Sequence, residues 1–191
     1  ISGLDNLRVV RNGIAILNNP DLTVLDGLPL VESVPSFELR NTPIVQIRSL
    51  GIERVVGRLR ISENANLSRI EGFTRLTQAG ELLITDNPRL ETVTGFAQFR
   101  EVGQLTVEDN ERLSLVNFAA LERVNTELRI KDNDALLGPG TFTNLDEIDG
   151  NLVIEDNLAI TDLRGLENIR SVNGVSIQRN DALTRVFGLN S

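Results

Sequence analysis

The chain has 191 residues and contains no cysteine, histidine, methionine, tryptophan or tyrosine. Without cysteine there is no disulfide framework, and thiol usage says nothing of the redox compartment. Without both cysteine and histidine, most transition-metal sites and all thiol or Ser-His nucleophilic chemistry fall away. No apolar run approaches the roughly 20 residues of a membrane-spanning helix, and the N-terminus lacks the basic-then-apolar pattern of a secretory signal. Basic charge is scarce: 19 basic residues stand against 27 acidic ones, a net charge of −8. Such a balance argues against nucleic acid, which wants a basic patch and often stacking aromatics. It argues equally against an anionic membrane surface, so no membrane insertion by this segment is expected. No cofactor is expected either.

What is present is a repeat. The stretch Gly80 to Leu90 (GELLITDNPRL) recurs as GRLRISENANL from Gly57, GQLTVEDNERL from Gly103 and GNLVIEDNLAI from Gly150. The first apolar residue of each apolar-x-apolar pair falls at Ile14, Phe37, Leu59, Leu82, Leu105, Leu128, Leu152 and Val175, with spacings of 23, 22, 23, 23, 23, 24 and 23. The second falls at Ile16, Leu39, Ile61, Ile84, Val107, Ile130, Ile154 and Ile177. It is mostly β-branched, which suits a strand whose alternate side chains enter a core. So constant a period predicts a mainly β, parallel β-solenoid of about eight coils.

Three residues after the pair comes an Asn: Asn19, Asn64, Asn87, Asn110, Asn133, Asn157 and Asn180, with Asn41 assigned the same role in a copy one residue shorter. A column of one amide at a bend can donate to and accept from the main chain where the strand's own bonds stop, so these residues are expected to form an internal Asn ladder. Beyond the bend the apolar spacing becomes three, as in Leu67, Ile70, Phe73 and Leu76. Glycines at fixed phase are expected to mark corners needing a positive φ or close backbone approach: Gly3, Gly27, Gly72, Gly95, Gly165 and Gly188 in one column, and Gly57, Gly80, Gly103 and Gly150 two residues before the strand in another. Phe73, Phe96, Phe118 and Phe142 share a column with Leu4, Leu28, Leu50, Leu166 and Leu189. Leu at both ends of that column makes it core rather than a sugar-binding stripe.

Residues 1–191 read as a single repeat domain, with LLGPGTFTN (Leu136 to Asn144) as its longest irregularity. The repeat is cut in mid-turn at both ends, an expectation that this is a piece of a longer protein. In a stacked solenoid equivalent residues lie about 4.8 Å apart, so each column becomes a stripe. The acidic column Glu63, Asp86, Asp109, Asp132 and Asp156 precedes the ladder Asn. It admits Ca²⁺ binding through oxygen ligands, although local turn hydrogen bonding is the preferred reading and no metal is expected. The outward strand row Arg60, Leu83, Thr106, Arg129 and Val153 mixes charge with apolar surface and is the candidate ligand-binding face. Beside it, Glu108, Lys131 and Glu155 alternate in sign as a surface charge ladder. Asn66-Leu67-Ser68 is the one acceptable N-glycosylation triplet.

The pattern Gly-x-Leu-x-Ile-x-x-Asn-x-x-Leu-x-x-Leu-x-Gly-Leu-x-x-Leu-x-x-Val, best seen from Gly57 to Ala79, Gly80 to Val102 and Gly150 to Val172, resembles the receptor L-domain. That family is the ligand-binding module of growth-factor receptor ectodomains and is also found in microbial surface proteins. The resemblance implies a right-handed β-solenoid related to leucine-rich repeats, but with the next Leu three residues after the Asn, as from Asn64 to Leu67. It also implies an extracellular or cell-surface location, and the lack of cysteine makes a microbial member the better fit. The function expected is noncatalytic recognition of a protein or glycan through one flat face. The alternatives are a structural or self-associating spacer and, less favoured, a polysaccharide-active enzyme using Asp109, Asp132 and Arg129.

Overall fold

In this computed structural model, which describes residues 3–48 and 50–186, the chain is mainly β and every strand pairing is parallel. The expected positions of Gly188 and Leu189 lie outside those residues. The strands run β1 (Ile14–Leu17), β2 (Val24–Leu25), β3 (Ser33–Val34), β4 (Phe37–Arg40), β5 (Gln46–Ile47), β6 (Arg54–Ser62), β7 (Arg69–Ile70), β8 (Gln78–Thr85), β9 (Thr92–Val93), β10 (Glu101–Glu108), β11 (Leu115–Val116), β12 (Arg123–Lys131), β13 (Glu147–Glu155) and β14 (Ser171–Gln178). They form two sheets. The long one is ordered β1-β4-β6-β8-β10-β12-β13-β14, and the short one β11-β9-β7-β5-β2. Successive coils thus stack as a β-solenoid of about seven turns, whose register pairs Ile14 with Phe37, Phe37 with Leu59, and so on through Leu152 with Val175, as the sequence period requires.

Most coils are closed by two tight turns. One follows the ladder residue, with the N–H three residues on donating back to its carbonyl, as Leu67 does to Asn64 and Leu90 to Asn87. The other begins in the Phe column, as Leu76 to Phe73 and Leu121 to Phe118. Between them the apolar residues of both sheets fill one continuous interior. Phe73 and Phe96 stack at a ring separation of 5.5 Å, Phe96 and Phe118 lie 5.0 Å apart, and Phe118 and Phe142 follow at 5.8 Å. The aromatic column is therefore core, and Leu28, Leu50 and Leu166 extend it buried, whereas Leu4 at its N-terminal end is exposed.

Two sequence features sit differently from expectation. Gly57, Gly80, Gly103 and Gly150 lie inside β6, β8, β10 and β13 rather than at a corner ahead of them, next to register shifts in the long sheet. The requirement there is close approach: a Cβ on Gly103 would lie 2.1 Å from the Gly80 carbonyl oxygen. In the second coil Pro35 stands in this stretch; it has no N–H to donate, and the run is split into β3 and β4, both paired to β6. The irregular segment from Leu136 carries one isolated bridge, Asn117 to Thr141, past the last short strand β11, and is held besides by the Phe142 N–H donating to Gly165 O and by its buried Phe142 ring.

Candidate functional site

The corner that joins the long sheet to the ladder turn is built from two neighbouring columns. Asn64, Asn87, Asn110, Asn133 and Asn157 are fully buried, and each is held from three sides. Asn110 is typical: its Nδ2 donates to Glu108 O at 2.8 Å in its own coil and to Ile84 O at 3.0 Å in the preceding one, while its Oδ1 accepts the Asn87 N–H at 3.3 Å. The same bonds recur at Asn133 and Asn157, and Asn180 repeats both carbonyl contacts at the C-terminal end. Together they satisfy backbone groups that would otherwise be buried without partners.

The N-terminal end departs from this scheme. Thr42, not Asn41, occupies the ladder position, donating through its N–H and Oγ1 to Asn64 Oδ1 at 3.2 and 2.8 Å. Asn41 is one residue earlier, exposed, and bonded through Nδ2 to Asn18 Oδ1 at 2.7 Å. Pairing of Arg40 with Ser62 keeps the strand in phase, so the missing residue falls after Thr42: Pro43 alone stands where Ala65 and Asn66 stand in the next coil. Asn19 is exposed, and its Nδ2 donates to Leu17 O at 2.9 Å.

The acidic column has a backbone explanation. Asn18, Asn41, Glu63, Asp86, Asp109, Asp132, Asp156 and Arg179 all have φ between 51 and 58°, the left-handed region. Asn and Asp tolerate it best because a short polar side chain can bond locally. The mixture of Asn with acid in one column was the signal in the sequence for that φ. Among the described residues no three carboxylates come together as a metal-holding group. The like charges are felt all the same. Partial burial together with Asp86, Glu108 and Asp132 pushes the Asp109 carboxyl above the ordinary aspartate range, against a lowering by Lys131. At Asp156 the hydrogen-bonded Arg179 guanidinium, with Nη2 2.8 Å from Oδ2, does the reverse and holds the carboxyl low.

On the outer face of the long sheet, Arg60, Leu83, Thr106, Arg129 and Val153 are direct cross-strand neighbours on β6, β8, β10, β12 and β13. They are not equally accessible. Thr106 is 5% exposed and Val153 6%, while Arg60, Leu83 and Arg129 are half-buried. Gln104 Nε2 reaches Thr106 Oγ1 at 3.2 Å, and Arg60 Nε reaches Ser62 Oγ at 3.0 Å. Arg129 is fixed along its own strand by two bonds to Glu127, at 2.9 and 3.2 Å, which hold its guanidinium above the ordinary arginine range against the lowering by partial burial. Lys131 bridges Asp132 at 2.8 Å and Glu108 at 3.4 Å, whereas Glu155 turns to Ser176 and Arg179, so the alternating charge ladder is only partly closed. Arg129 and Asp132 are thus engaged by different partners.

Comparison with protein-family models, with curated proteins and with solved structures found no match. Among the described residues no helix is long and apolar enough to cross a membrane. The parallel β-solenoid stands on the geometry alone.

Proposed function

We propose that the chain is a noncatalytic recognition module that takes a protein or glycan against the outer face of its long sheet, as the likeness to receptor L-domain repeats implies, and that it works outside the cell or on its surface. One observation carries the reading: Arg60 and Arg129 flank Leu83 and Thr106 on four consecutive strands. Among the described residues Arg60 engages Ser62 alone, through Nε, which leaves its terminal nitrogens without a protein partner there. Arginine beside apolar surface on a rigid platform is the composition that interface centres favour, and a stacked solenoid presents such a platform without loop rearrangement.

The test is a binding survey of the chain against arrays of defined glycans and of purified ectodomains. A ligand found there should lose at least tenfold in affinity in the triple variant Arg60→Ser, Leu83→Ser, Arg129→Ser, with the melting temperature unchanged. Val153 belongs to the packed part of the row and is left intact. A ligand that the triple variant binds equally well would place recognition elsewhere.

A further inference from the structure

The shortened corner at Pro43 has a consequence beyond the ladder. In the flanking coils two residues lie between the ladder position and the next apolar residue, Pro20 and Asp21 above, Ala65 and Asn66 below. With Pro43 alone in the middle coil, the surface falls back between its neighbours and leaves a recess of about 370 Å³. Pro20, Pro43 and Ala65 supply its apolar surface, and Asn18, Asn41 and Asn66 are among its polar lining. Asn18 and Asn41 use one amide group each on the other, so Asn18 Nδ2 and Asn41 Oδ1 are left to the recess.

Asn66 opens the one Asn-x-Ser triplet of the chain and sits on the tight turn after Asn64. Its Oδ1 accepts from Arg89 Nη1 of the next coil at 3.1 Å, which turns Nδ2 away from that contact, and among the described residues Nδ2 has no protein partner. A surface turn with a free amide nitrogen is what N-linked modification requires. We propose that Asn66 is an acceptor for an N-linked oligosaccharide and that the recess beside it is the bed of its first sugar. The amide nitrogen bonds to C1 of a sugar carried on a polyprenyl diphosphate, the C1–O bond to that diphosphate breaks, and polyprenyl diphosphate leaves while a transferase base takes one amide proton. A neutral sugar fits the lining: its apolar face meets the prolines and Ala65, and its hydroxyls meet one amide donor and one amide acceptor.

The inference rests on the extracellular placement proposed above, but not on the sheet face. Secreting the chain from a eukaryotic host supplies the compartment whatever the native location, so the two readings fail separately. Intact-mass and peptide mapping should find a single N-glycan on Asn66, absent from Asn66→Gln and from Ser68→Ala. A secreted chain with Asn66 unmodified overturns the acceptor. In the glycosylated chain, nuclear Overhauser contacts should join the first sugar to Pro43 or Ala65; a glycan without them overturns the bed.

Discussion

Asn110 and Asn19 are the same residue in the same phase of the repeat, yet the corner around one is a closed network and around the other is open to water. Asn110 has a coil on each side: the preceding one supplies Ile84 O and the Asn87 N–H, and the following one supplies Asn133 Oδ1 to its own N–H. Asn19 is followed by the short corner, where Thr42 stands in the ladder and offers no carbonyl oxygen in its side chain to accept from the coil before. A ladder amide is therefore worth what its neighbours on both sides allow. Deleting an amide whose partners are buried leaves them unsatisfied, whereas the same deletion at a wet corner lets water take over.

The largest effect should come from breaking the central corner. Asn110→Ala leaves the Asn87 N–H without its acceptor and takes the amide donor from Ile84 O and from Glu108 O, which keeps the Asp86 N–H, and is expected to cost about 2 kcal/mol or more in denaturant unfolding, at about 1–3 kcal/mol per orphaned group. Asn19→Ala should stay within about 0.5 kcal/mol, as surface changes do. Next is the strand glycine: Gly103→Ala forces a Cβ against the Gly80 carbonyl in the middle of the long sheet and should cost about 2–3 kcal/mol. Gly138→Ala, which meets nothing closer than 3.8 Å, should be nearly neutral.

Thr42→Asn sharpens the comparison by offering the missing acceptor. The Asn19 amide should then exchange its hydrogen more slowly, with global stability changed by less than about 1 kcal/mol. Unchanged exchange would show that the shorter corner, and not the residue in it, ends the ladder.

The smallest expected effect is electrostatic. A raised Asp109 carboxyl means that the folded state opposes ionisation there: the wild-type chain is relatively most stable below the ordinary aspartate value of 3.8 and loses that share as pH rises through the raised one. Asp109→Asn, which keeps a residue suited to φ 54°, should raise the melting temperature by about 1–2 °C at neutral pH. The gain should shrink as pH falls through that window. At Asp156 the sign reverses. Its lowered carboxyl contributes stability present above the ordinary value and lost as pH falls through the depressed one, so Asp156→Asn should lower the melting temperature slightly at neutral pH and not in strong acid.

Much of this was legible in the chain. The spacing from Ile14 to Val175 gives the cross-strand partners of the long sheet, and the Phe column is core as the Leu residues at its ends imply. The misplacement of Asn41 arose because an Asn in a shortened copy satisfies either of two adjacent columns. Only the pairing of Arg40 with Ser62 shows which one it fills. For the strand glycines the close approach expected of them holds, while their place inside the strand rather than at a corner is something sequence spacing does not distinguish.

The sequence by itself determined the period, the direction of stacking and the residues that line the interior, since equal spacing translates each coil along one axis and repeats its pattern of burial. What only the tertiary structure decided is how far each member of a column is covered, as Val153 is and Leu83 is not. That depends on side chains reaching across from adjacent strands and coils, and no single column of the repeat contains them. The recess at Pro43 has the same origin: a residue removed from one turn becomes a cavity only when the turns above and below keep theirs.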